Sequence, residues 1–339
     1  MKGSGMSNYN RILTVRLEDG AVQACLYEGT GLVKKLDPVP AGADAAALIA
    51  AQAGDIDCAV CPGGVLKPLK RGVYRIDEKL ISDSVNATYG AHAYNQLAEI
   101  TASVAAEKNA DALALLPMST DELLTLNRIS SNSKIPKKSR YYALEQAAAI
   151  DAVTSPEDIN AEDHNYVVAY IDDMTCVGAY LRGFCVDVND MIGQEGPMGL
   201  VSSGDLPNAL LYSYIVKTGT DVRGLVKTLK EESGVMAYTG TTDPTELDAL
   251  TDEDAKLAVE ALAYQVAKWI GSSTLVLRGS VDGIILAGKG AQSKVVSDSI
   301  RKRVESIAPV MVVSDLDAAA YMAKCASAAG TFIWPVLEY

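Results

Sequence analysis

A strand-turn-strand unit opens this chain and then occurs again halfway along it. Residues 11–15 and 23–27 are apolar runs of strand character, separated by Glu18-Asp19-Gly20, a hairpin-turn sequence. Residues 166–171 and 177–181 repeat the arrangement around a second turn, and 183–188 adds a third run. A unit that recurs at the head of each half points to an internal duplication. At 339 residues the chain is long enough for two ordinary domains.

Helix-like stretches follow each opening. Residues 44–52 are alanine-rich, 91–108 carry apolar residues at helical spacing and 141–152 read as a further helix, with apolar strands at 56–61 and 112–116. In the second half, 254–271, 295–307 and 317–329 read as helices, with buried strands at 283–287 and 310–313. Strands alternating with helices place both halves in the α/β class. The polar stretch Ser155-Pro156-Glu157-Asp158, with Glu162-Asp163 soon after, is the best boundary. It gives domains at 11–161 and 162–339, with the closing helix packed in the second. Residues 1–10 read as a cloning scar and tail ahead of a natural start near Met6.

Charge and cysteine usage exclude several function classes. A net charge of −13 argues against a nucleic-acid partner, which needs clustered Lys and Arg. The one basic stretch, 134–140, is short and interrupted by Ile135 and Pro136, and reads as a solvated loop. No apolar run reaches the roughly 18 residues that span a bilayer, so no membrane partner is expected. Six dispersed cysteines suit reduced thiols and a cytoplasmic location. Cys58 and Cys61 have redox or metal spacing, but no second pair follows and His92 and His164 are the only histidines, so no metal site is expected. No Gly-x-Ser-x-Gly elbow supports a hydrolase. No Gly-x-Gly-x-x-Gly follows the first strand, as a dinucleotide-binding fold requires.

The most specific signals lie in the second half. Val281-Asp282-Gly283-Ile284-Ile285-Leu286-Ala287-Gly288-Lys289-Gly290 is a buried strand running into a glycine turn and a helix. Backbone approaches a ligand closely at such a turn. Upstream lies Gly234-Val235-Met236-Ala237-Tyr238-Thr239-Gly240-Thr241-Thr242-Asp243, and downstream Arg303-Val304-Glu305-Ser306-Ile307-Ala308-Pro309. The first half adds Gly63-Gly64-Val65-Leu66-Lys67-Pro68, Gly90-Ala91-His92-Ala93-Tyr94-Asn95 and Ala143-Leu144-Glu145-Gln146. Val186-Asp187-Val188-Asn189 and Ser203-Gly204-Asp205-Leu206-Pro207 continue the series.

This ordered series, over residues 11–329, resembles the butyrate kinases, members of the acetate kinase, sugar kinase and actin superfamily. The resemblance implies two actin-like (ribonuclease H-like) α/β domains with an interdomain cleft. ATP and magnesium are the family's cofactors, and phosphoryl transfer to a short-chain carboxylate is its reaction, an electrostatic task for donors and metal. It implies a homo-oligomer, a dimer. By motif match, His92 stands at the family's active-site histidine, Gly240, Thr241 and Asp243 in the loop near the nucleoside, and Gly288, Lys289 and Gly290 at the adenosine turn.

The match fails where the family holds phosphate. Its first hairpin turn reads Asn-Pro-Gly-Ser-Thr-Ser-Thr, and the same stretch here is Arg16-Leu17-Glu18-Asp19-Gly20-Ala21-Val22. Its second has His-Leu-Gly-Gly-Gly after an alanine, whereas Ala169 here is followed by Tyr170-Ile171-Asp172-Asp173-Met174. Carboxylates in place of donors repel a phosphate by about 1 kcal/mol each at 4 Å in water and about 4 kcal/mol at intermediate dielectric. Two family arginines fall at Pro62 and Ser202 and an aspartate at Leu116, whereas Asp317 keeps an acidic residue where the family has one, one carbon shorter.

Three readings follow. In the first, the chain has lost phosphotransfer and acts through association with a metabolic enzyme, a carboxylate kinase or phosphotransacylase. In the second it is an active butyrate-type kinase with a rebuilt site, Arg16 supplying a cation, Asp172 and Asp173 holding magnesium and His92 assisting the phosphoryl group. In the third, the acidic turns of Glu18, Asp19, Asp172 and Asp173 serve a cation or a neutral or amine-bearing ligand.

Overall fold

The computed structural model describes residues 9–332 and 334–339, so most of the expected scar lies outside the described residues. The chain divides into two compact units, one reaching to Asp121 and taking in Asp317–Tyr339, the other being Glu122–Leu316.

The first unit opens with β1 (Arg11–Glu18), β2 (Ala21–Glu28), β3 (Gly31–Lys35) and β4 (Val39–Pro40), followed by β5 (Cys58–Pro62), β6 (Val73–Arg75) and β7 (Asp111–Leu115). Helices α1 (Ala45–Ala53), α2 (Glu78–Val85) and α3 (Leu97–Glu107) lie between them. β1 and β2 form an antiparallel hairpin, while β1, β5 and β7 run parallel. Every residue of β5 is buried, as a parallel strand covered on both faces requires. Cys58 and Cys61 sit three apart in that strand, so their side chains point to opposite faces and cannot share a metal. Both are buried free thiols.

The second unit carries α4 (Ala143–Thr154), then β8 (Asn165–Ile171), β9 (Thr175–Leu181) and β10 (Phe184–Val188). Next come α5 (Asn208–Thr218), α6 (Val222–Glu231), α7 (Met236–Thr239), α8 (Pro244–Asp248) and α9 (Glu253–Val276). The series ends with β11 (Gly283–Ala287), α10 (Lys289–Gln292), α11 (Lys294–Val304) and β12 (Val310–Val313). Its sheet order, β10-β9-β8-β11-β12, matches β3-β2-β1-β5-β7 of the first unit. The predicted duplication is therefore present in the topology.

Three acidic residues explain why α9 forms where it does. Asp252 caps it by accepting from the Ala255 amide at 2.9 Å, and Glu253 and Asp254 complement the positive end. Val259, Leu262, Val266 and Ile270 then fall on one face and pack on Val167, Ala169 and Ile171 of β8. Full burial of such side chains stabilises by about 1.5–3 kcal/mol each.

The chain finally returns to the first unit as α12 (Ala318–Ser327) and β13 (Val336–Leu337). This differs from the expected division at 161/162. Helix α12 buries Ala318, Met322, Ala323 and Ala326 and packs against β1 rather than joining the second unit. Helix α4 packs on β8. Periodicity shows that a helix has an apolar face but not which sheet takes it. The basic stretch is a loop exposed at Lys134, Ile135, Pro136 and Lys138, but two of its cations are paired. Lys137 lies 3.2 Å from Glu195, and Arg140 grips Asp190 with two nitrogens, Nε at 2.8 Å from Oδ1.

Candidate functional site

In the first unit, β1 and β2 pair from Arg11↔Glu28 through to Glu18↔Ala21, leaving only Asp19 and Gly20 as the connection. Both have positive φ, 47° and 79°, the requirement of a type I′ turn. The sequence Asp-Gly favours that turn, so the hairpin closes in the shortest way available. No longer loop of main-chain amides remains there to surround an anion. Charge alone does not close it, which corrects the expectation from the sequence. Glu18 lies 3.9 Å from Arg16 and 3.7 Å from Lys35, so two cations offset the two carboxylates of the turn. The buried Arg16 is thereby turned toward its own hairpin.

His92 is half-buried, and its Nδ1 accepts the Tyr94 amide at 3.1 Å to cap the short helix that follows. Its ring meets Tyr94 edge-on, centroids 4.9 Å apart. Asn95, from the same motif, accepts the Val65 amide at 2.8 Å and donates to the Ser84 and Gly90 carbonyls at 2.9 Å. One buried amide thus ties the Gly63-Gly64 loop to the Gly90 loop.

The second unit gathers three of the predicted segments at one place. The tip of the β8–β9 hairpin is Asp172, Asp173 and Met174, between the paired Ile171 and Thr175. The half-buried Asp172 carboxylate accepts the Asp173 amide at 2.8 Å and faces the Lys289 backbone N–H and the Tyr170 hydroxyl. Burial pushes its pKa up to about 6, and the neighbouring Asp173 charge adds to the rise, against the pull of the three donors. Glycines make this contact possible. A Cβ on Gly288 would lie 2.5 Å from the Ile171 carbonyl oxygen, and one on Gly290 would lie 2.4 Å from the Ile171 side chain. The strand-to-helix turn is therefore pressed against the hairpin, and its backbone N–H faces a side chain of the protein itself.

Lys289 also joins the third segment. Its Nζ donates to Thr242 Oγ1 at 3.1 Å, linking the glycine turn to the loop after α7. In that loop Thr241 bonds Glu246, and Asp243 caps α8 by accepting the Thr245 and Glu246 amides at 2.9 and 3.0 Å. Gly240 closes α7 with φ 73°, open space lying where a Cβ would be. Thr242 and Tyr170 were missed at the level of sequence. Thr242 stands between two predicted residues, and only the reach of the Lys289 side chain selects it.

Several motif residues turn out to be framework. Gln146 donates to the Cys176 carbonyl at 3.1 Å and accepts the Tyr180 hydroxyl at 3.0 Å, fastening α4 to the β8–β9 pair. Asn189 accepts the Val177 amide at 2.7 Å. Asp317 caps α12 through the Ala320 amide at 2.8 Å. Pro62 ends β5, and Ser202 is buried, its amide 3.0 Å from the Asp173 carbonyl. Leu116 is buried with φ 42°, a left-handed backbone that Asp and Asn adopt more readily than Leu.

Residues 147–324 match the profile of the acetokinase family. A probable butyrate kinase of Coprothermobacter proteolyticus is 35% identical over 266 residues, covering 77% of this chain and 75% of that protein. The chain belongs to the acetokinase family. Butyrate kinase 2 of Clostridium acetobutylicum is 34% identical over 261 residues, 76% of this chain and 73% of that protein. Among solved structures, Porphyromonas gingivalis acetate kinase superposes with a TM-score of 0.76 at 14% identity, covering 94% of this chain and 98% of that one. A Francisella tularensis propionate kinase gives 0.73 at 13% identity, covering 93% and 98%. These likenesses agree with two actin-like α/β domains. Among the described residues no group of three or more metal-ligating side chains occurs, and no helix is long and apolar enough to cross a membrane.

Proposed function

We propose that this acetokinase-family protein has lost ATP:carboxylate phosphotransfer and acts by association with a metabolic enzyme, a carboxylate kinase or a phosphotransacylase. The observation that carries the reading is the seat of Asp172, whose carboxylate faces the Lys289 backbone N–H at the glycine turn. A polyanion there must displace a bound carboxylate and then sit beside Asp173. The residues fit a magnesium-bound triphosphate poorly. The first hairpin is closed to a two-residue turn, Lys289 Nζ is directed to Thr242, and Pro62 and Ser202 supply no cation. Phosphoryl transfer depends on such donors almost entirely, so losing them together removes the means of stabilising the transferring group.

Two measurements test this. A coupled assay with ATP, magnesium and C2 to C5 carboxylates should give no turnover above a Glu18→Ala/Asp172→Ala control. Calorimetric titration should give no magnesium-ATP binding beyond that of adenosine. Turnover, or a strong phosphate contribution, overturns the proposal. The associating enzyme should co-purify from the native cell, and a chain that always isolates alone refutes that half of it.

The second reading, an active butyrate-type kinase, draws on the relatives named butyrate kinase at 35% and 34% identity. It requires Arg16 to leave Glu18 and the two aspartates to take up magnesium, and the same turnover assay decides it.

A further inference from the structure

The Gly193–Glu195 loop and the Ser203–Leu206 loop meet helices α5 and α6 around a cavity of about 380 Å³. That volume is near the lower end for small-ligand sites, which suits a molecule of amino-acid size rather than a nucleotide. Its walls are tied together. The Ser203 amide donates to the Leu229 carbonyl of α6 at 2.8 Å, and the Asp205 amide donates to the Gly196 carbonyl at 2.8 Å. Gly204, with φ 61°, packs so closely that a Cβ there would lie 2.5 Å from the Pro197 carbonyl oxygen. The Ser203 hydroxyl donates to Gln194 Oε1 at 3.1 Å and joins the two loops.

The lining is of two kinds. Leu211 of α5 with Val226 and Leu229 of α6 supplies apolar surface, and neither helix has a fully buried residue, so these side chains still have area to cover. Among the described residues that line the cavity, the charged ones are Glu195, Asp205 and Lys230. Glu195 is already matched, lying 3.2 Å from Lys137 and accepting the Asp190 amide at 2.7 Å. One carboxylate and one cation remain, so the lining suits a ligand that is neutral overall but carries both signs. Burial and the neighbouring Arg140, itself held by Asp190, push the Lys230 ammonium down, against the pull of Asp190 and Glu231. Asp205 lies at the exposed rim, where partial desolvation and the Glu195 charge push its carboxyl up, against the Gly196 amide that faces it. Each charged form is disfavoured where it stands, and each gains from an opposite charge on a ligand.

We propose that this cavity binds a free α-amino acid with an apolar side chain, its carboxylate at Lys230, its ammonium at Asp205 and its side chain against Leu211, Val226 and Leu229. Such a ligand meets all three kinds of lining group at once. A simple carboxylate is repelled by Asp205, and a simple amine by Lys230. The site is separate from the Asp172–Lys289 contact and does not depend on whether phosphotransfer is retained.

Calorimetric titration of the full chain near neutral pH tests it with L-leucine and two analogues, isocaproate, which lacks the amine, and isoamylamine, which lacks the carboxylate. L-Leucine should bind with a Kd below about 1 mM, and each analogue at least about 10-fold more weakly, as the loss of a charged contact implies. Lys230→Met should weaken leucine about 10-fold while isoamylamine binds no less well, and Asp205→Asn should weaken leucine while isocaproate binds no less well. A misfolded variant does not give that crossed pattern. Hydrogen exchange on the unaltered protein adds a readout free of substitution, since leucine should slow the amides of 203–211 and 226–230. Neither heat nor slowed exchange with leucine, valine or phenylalanine overturns the site. Isocaproate binding as tightly as leucine overturns the ligand class, and variants that weaken every ligand alike overturn the two anchors.

Discussion

Replacing Asp172 by Asn isolates the half-buried carboxylate at the tip of the β8–β9 hairpin. In the folded protein its pKa stands at about 6, against 3.8 for the ordinary group, with burial the main cause. A carboxyl whose folded pKa is raised binds its proton more tightly in the native state. The fold therefore gains stability as pH falls through 6 toward 3.8, and above 6 it carries a constant penalty. At about 1.4 kcal/mol per tenfold change in proton affinity, that penalty has a ceiling of about 3 kcal/mol. Asn keeps an acceptor for the Asp173 and Lys289 amides but loses the charge in those bonds, which returns about 1 kcal/mol. Asp172→Asn should thus stabilise the second unit by about 1–2 kcal/mol at pH 7.5, by about half as much near pH 5, and by almost nothing below pH 4. Urea unfolding followed by Trp269, which packs against that unit's core, reads the difference in a Trp334→Phe background. A variant less stable at pH 7.5, or a gain unchanged down to pH 4, would show that the carboxylate is not held as argued.

Gln146→Leu should destabilise the second unit by about 2–3 kcal/mol, since it leaves the buried Tyr180 hydroxyl and Cys176 carbonyl without their shared partner. The same urea titration measures it, and a loss under 0.5 kcal/mol, the order expected of an ordinary surface change, would contradict the framework role. All six cysteines are buried free thiols, and burial pushes Cys25 up to about 11 and Cys61 up to about 12. A chromogenic disulfide reagent at pH 8 should therefore label the native protein slowly and all six thiols at once in urea. Rapid native labelling would contradict that burial.

The amino-acid sequence by itself determined the class of each element and the duplication. Those are set by local physics. Continuous apolar runs make β8 and β9 strands that are covered on both faces, Asp19-Gly20 closes a tight turn, and Asp252 begins α9. It also carried the family, through motifs whose Gln146, Asn95 and Asn189 satisfy buried backbone in this chain. It did not show α5 and α6, whose apolar residues run all round one helix and are nowhere fully buried on either.

Only the tertiary structure decided which sheet takes α12 and what the candidate residues touch. The Lys289 side chain reaching Thr242, the Lys289 amide on Asp172 and the cations beside Glu18 join residues distant in the chain or set by side-chain reach. Charge sign read along a sequence makes both hairpin tips equally acidic. In three dimensions Glu18 is offset by Arg16 and Lys35, while Asp172 is desolvated and satisfied by backbone. Electrostatic energy depends on distance and burial, and neither is a property of sequence order.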